Sequence, residues 1–192
     1  MTPAQSGRMG CRALAGATFN VEIVMSDSVI AILRVIHIVF GAFFVGGMIT
    51  VAFLFLPAIR GASETSAFAD QLMARARVLI VVYVAAGVIA IGAGHALYRT
   101  IWVGAGLSGP AFWFAMGGHI ATVAVILVAA VAGPAAHKLG ALARMLLCKE
   151  SPPTAEQNAE RDRLLKRLTW VTQLSAALLV VTISFMAIGR YV

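Results

Sequence analysis

Four long apolar runs, at residues 29–59, 78–98, 110–131 and 168–188, alternate with shorter polar stretches along the chain. Each run has about twenty residues or more, enough for a helix rising ~1.5 Å per residue to cross a ~30 Å hydrocarbon core. None alternates apolar with polar at the period of two that marks a barrel strand. Lipid leaves only helices and closed barrels as ways to satisfy the backbone, so the pattern predicts helices. The expected fold class is all-α: an integral membrane four-helix bundle of up-down-up-down topology, formed by residues 25–192.

The breaks between the runs sharpen this picture. The first helix is expected to end near Leu56-Pro57, and the segment GASETSAFADQLMARAR that follows is long enough for a short amphipathic helix. The second connection, TIWVGAGLSGP, carries glycine and proline breakers. Tyr98, Trp102 and Trp113 flank it and read as an interfacial belt. Helical spacing in the third helix continues through HKLGALARMLL and must stop by Ser151-Pro152-Pro153. Thr154 and Gln157 have the spacing of a capping box, opening a helix that continues through AERDRLLKRL into the fourth span. On that span Thr172, Ser175, Leu179, Thr182, Met186 and Gly189 recur at three- and four-residue steps, a small, weakly polar stripe expected to face the other helices. Glycines at 41, 46 and 47, at 87, 92 and 94, and at 117 and 118 suit either close helix packing or room for a flat ligand.

Composition agrees with the pattern: 60% of the 192 residues are hydrophobic and 12% are charged, against roughly 25% charged in a soluble domain. The net charge of +7 does not read as a nucleic-acid footprint, because the basic residues lie between the apolar runs and are not interleaved with aromatics. It reads as topology. Arg60, Arg75 and Arg77 follow the first run, and Lys138, Arg144, Lys149, Arg161, Arg163, Lys166 and Arg167 follow the third. The opposite side has Arg8, Arg12 and Arg34, then Arg99, then Arg190. By the positive-inside rule both termini face outward. Cys11 and Cys148 then fall on opposite sides of the membrane and form no intrachain disulfide. Residues 1–24 cannot bury a core and are expected to be a disordered leader, or an extension upstream of a start at Met25.

That topology sets the depth of each histidine. His37, His95 and His119 all fall in the outer half of the membrane, whereas His137 lies at the inner end of the third helix. Ionisable side chains inside a bilayer are costly and mark functional sites by default. A bis-histidine haem needs two facing imidazoles, small residues beside the macrocycle and cations near water for the propionates. His37 with His119, or His37 with His95, could supply the ligands, and Arg34 and Arg99 the counter-charges. Copper competes for the same imidazoles, with the thioethers of Met116 and Met186 at similar depth. No Asp or Glu falls within a span, and no phosphate loop or serine elbow is present. Carboxylate proton relays, hydrolases and ATPases are therefore not expected.

The first span, LRVIHIVFGAFFVGGM with its Leu56-Pro57 exit, resembles the opening helix of a group of small bacterial membrane proteins. The group includes copper-resistance D-like proteins, related four-helix proteins and HemJ-type protoporphyrinogen oxidases. His37 is similar to the haem-linked position of the HemJ type, and His137 in GPAAHKLGALAR to its inner third-helix histidine. That type has an early third-helix lysine where this chain reads FWFAMGGHIATVAV, and Leu-Pro-Arg where it reads LPAIRGASE. The copper-resistance D resemblance implies copper handling across the inner membrane.

The expected protein is therefore a multi-pass protein of the bacterial inner membrane whose outer-half histidines bind b-type haem in a redox role, with a membrane redox partner or complex. Copper transport or delivery remains open as an alternative. So does a ligand-free accessory subunit whose histidines only hydrogen-bond between helices.

Overall fold

A computed structural model describes residues 26–61, 71, 73–102, 108–148 and 153–191, which are helical apart from short turns. Four helices are long and apolar enough to cross a membrane: α1 (Asp27–Gly61), α2 (Ala76–Trp102), α3 (Pro110–Leu147) and α4 (Ala155–Ile188). The leader at 1–24, and most of the segment expected to hold an amphipathic helix after α1, lie outside the described residues.

α1 packs mainly on α2, and the N-terminal part of α3 mainly on α4. Each pair is antiparallel. His37 and Phe44 of α1 lie against Gly94 and Gly87 of α2, while Tyr83 lies against Gly47. Trp113 and Gly117 of α3 likewise meet Gly189 and Met186 at the end of α4. Glycine serves here as the floor on which a partner's large side chain rests, because a residue without a Cβ lets two helices approach closely. Gly41, Gly46, Gly92 and Gly118 face open space instead.

The stripe on α4 turns inward as its spacing predicts: Thr172, Ser175, Leu179 and Thr182 are buried. The threonine hydroxyls donate to carbonyls of their own helix, Thr169 to Leu165, Thr172 to Leu168 and Thr182 to Leu178. Outward faces are lined by large apolar side chains, among them Ile38, Phe53, Leu54 and Val78. The predicted capping box is formed: Gln157 N–H donates to Thr154 Oγ1 at 3.3 Å, and Thr154 N–H to Gln157 Oε1 at 3.0 Å.

One boundary differs from expectation. α1 does not end near Leu56-Pro57 but continues to Gly61 through a π-turn at Val51–Phe55, closed by a bond from Leu56 N–H to Val51 O. α3 repeats the device at Val128–Ala132, with Gly133 N–H bonded to Val128 O and Pro134 following. A proline ring collides with the carbonyl four residues earlier, here Phe53 or Ala130, and breaks or kinks a regular helix. The wider turn just before each proline lets the helix pass. Both π-turns pack against α4.

Candidate functional site

The site is built around His37. Its position on α1 turns the ring toward α2, where Nδ1 lies 2.7 Å from the carbonyl oxygen of Ala90. A carbonyl can only accept, so Nδ1 carries the proton, and in the neutral ring Nε2 holds the lone pair. The ring rests on Gly94, one turn beyond Ala90. A Cβ at Gly94 would sit 2.7 Å from His37 Cε1 and 2.8 Å from Nδ1, closer than atoms can pack, so the imidazole fits because residue 94 has no side chain. This answers why an otherwise apolar segment tolerates a histidine: the half-buried ring has a carbonyl partner and a flat seat.

The other sequence candidates occupy different surroundings. His119 is exposed, and its Nδ1 donates at 2.7 Å to Ala115 O, one turn back on its own helix. His95 follows Gly94 in sequence but leaves α2 on an exposed face. Thus the structure does not bring the three imidazoles together. His37 is turned into the α1/α2 interface, whereas the N-terminal part of α3 that carries His119 packs on α4 and α2. Among the described residues no group of three His, Cys, Asp or Glu side chains is arranged to hold a metal ion.

Arg34, one turn before His37, and Arg99, in the last turn of α2, are both exposed toward the same end of the pair. Met186 is half-buried over Gly117, beside the turn of α3 that carries Met116 and His119. Met116 itself is exposed, as is His137 near the other end of α3. Where α2 ends and α3 begins the aromatic residues form a packed layer, Trp102 with Phe114 at 6.3 Å and Trp113 with Phe185 at 5.2 Å between ring centroids.

Sequence reasoning missed two parts of the His37 site. One is the Ala90 carbonyl, which any residue could supply. The other is Gly94 as the floor of the ring. The spacing of Ala90 and Gly94 is the small-xxx-small signature of close helix approach, and this was the available signal. Comparison with family models, curated proteins and solved structures gives no match for this chain.

Proposed function

We propose that this protein crosses the bacterial inner membrane four times, up-down-up-down with both termini outside, and that His37 is an axial ligand of a b-type haem in a redox role. The apolar outward faces of all four helices and the gathering of basic residues at one end support the membrane reading. One observation carries the ligand reading. With Nδ1–H donated to Ala90 O, Nε2 is left as a lone-pair donor in a fixed orientation, which is how metal-ligating histidines are ordinarily held.

His37 would supply one imidazole to such a haem. His119 and His95, both exposed, are the candidates for the second, and Arg34 and Arg99 are the cations for the propionates. Bound haem would supply one-electron chemistry. The chain's own part is to fix the tautomer of His37, keep the ring in apolar surroundings and hold α1 against α2.

Copper is the second reading, and Met186 favours it. Seated over Gly117, its thioether lies next to the turn bearing Met116 and His119, and thioether with imidazole is a donor set that suits copper.

An optical spectrum of the protein purified in mild detergent from haem-supplied cells, before and after dithionite, separates these readings. A reduced-minus-oxidised b-type spectrum is expected in the wild type and in His137→Ala, and is expected to vanish in His37→Ala. A featureless spectrum from folded wild-type protein removes haem. Copper retained by the wild type and lost in His119→Ala would then put the second reading in its place. Neither ligand would leave His37 as an interhelical bond in an accessory subunit.

A further inference from the structure

At the far end of α1 from His37, a cavity of about 490 Å³ opens between the last turn of α1 and the first turns of α4. Ile59 and Arg60 line it from α1, and Asn158, Arg161, Asp162, Leu165 and Lys166 from α4. The α4 residues recur at three- and four-residue steps and so share one face. Two neighbours on α4 do what basic residues at a membrane surface ordinarily do: Arg163 is 82% exposed and pairs with Glu160 at 3.7 Å, and Arg167 is exposed. Arg161 instead turns inward and is only 7% exposed. Burying a guanidinium is costly unless its surroundings compensate, as an interaction of Arg161 does here.

We propose that this cavity binds the phosphate group of an anionic lipid. Three cations, Arg60, Arg161 and Lys166, face it against one carboxylate, Asp162. Arg161 has an interaction of its own, whereas Arg60 and Lys166 have no ion pair among the described residues. Planar guanidinium and ammonium donors together suit phosphate oxygens, and the volume is that of an ordinary ligand site. Two features favour a lipid phosphodiester over free phosphate. Asp162 opposes a second negative charge, and the buried apolar side chains of Ile59 and Leu165 border the cations, offering a wall to the hydrocarbon that follows a headgroup. Basic pockets between membrane helices at the positively charged face are a recurrent means of holding anionic headgroups. The inference is independent of any ligand at His37.

Native mass spectrometry of the full chain in detergent, titrated with phosphatidylglycerol or phosphatidylcholine, tests the proposal. The wild type is expected to retain phosphatidylglycerol preferentially, and Arg60→Gln with Lys166→Gln to weaken retention roughly fivefold for each cation removed. Lys138→Gln with Arg144→Gln makes the same charge change outside the cavity and is expected to leave retention intact. These substitutions are at exposed positions, so they avoid disturbing buried Arg161. Equal loss in both double variants, or no loss in either, overturns the pocket. Thermal stabilisation by inorganic phosphate matching that by phosphatidylglycerol, and lost only in the Arg60/Lys166 variant, would overturn the lipid and assign the cavity to soluble phosphate.

Discussion

The two helix pairs hold a histidine in different ways. Between α1 and α2, His37 spends its N–H on a carbonyl of the neighbouring helix. In the α3/α4 pair His119 makes a bond of the same 2.7 Å length but to its own helix, and Thr169, Thr172 and Thr182 also bond within α4. Ser175 differs again, since its buried Oγ has no hydrogen-bond partner among the described residues. The contrast teaches that equal bonds differ in consequence. A bond within one helix leaves the neighbours free to shift, whereas a bond between helices ties their register and orientation together. A polar group that ties two helices through one nitrogen also presents its other nitrogen in a fixed direction, and this makes His37 the stronger ligand candidate.

Substitutions can break that comparison. The largest effect is expected from Gly94→Ala, whose methyl group would occupy the seat of the His37 ring; a loss of about 2 kcal/mol is expected from overpacking. Gly92→Ala, two residues earlier on the same helix with nothing near its Cβ position, should stay within about 0.5 kcal/mol of wild type. Unfolding titrations in mixed micelles measure both, and equal effects would mean that the ring does not depend on its glycine floor.

A smaller difference is expected between the histidines themselves. His37→Ala should cost about 1 kcal/mol in the same titration, the scale of an interhelical hydrogen bond in a membrane protein, and His119→Ala should lie near zero. If His119→Ala proved the costlier, the distinction between crossing and local bonds would fail. An effect of opposite sign belongs to Ser175→Ala. Removing an unpartnered buried hydroxyl should stabilise the bundle by up to about 1 kcal/mol, and a loss instead would indicate that Ser175 has a partner in the membrane.

Legibility in the sequence followed the range of the interactions. The capping box at Thr154 and Gln157 was readable because both its bonds lie within four residues. The inward stripe of α4 was readable because small polar residues stand out from lipid-facing aliphatics. Pro57 misled, since proline ordinarily closes a helix, and the rarer π-turn that carries α1 past it leaves no distinct mark in an all-apolar run. His37 was conspicuous, but its partner was not, because a backbone carbonyl carries no residue identity. The helices that carry His37, His95 and His119 were also readable, yet a place along a helix does not fix direction, and where every face of a helix is apolar, periodicity cannot tell a packed face from an exposed one.

Local hydropathy, chain length and short-range hydrogen bonding were thus enough to specify four long apolar helices, the capping box that opens α4 and the clustering of positive charge in two of the connections. Tertiary structure alone decided that His37 turns toward Ala90 and Gly94 while His119 stays exposed, and that Arg161 is drawn inward beside Arg60. Those outcomes depend on which helices are neighbours and in what rotation, and that is set by the fit of side chains onto facing glycines many residues away.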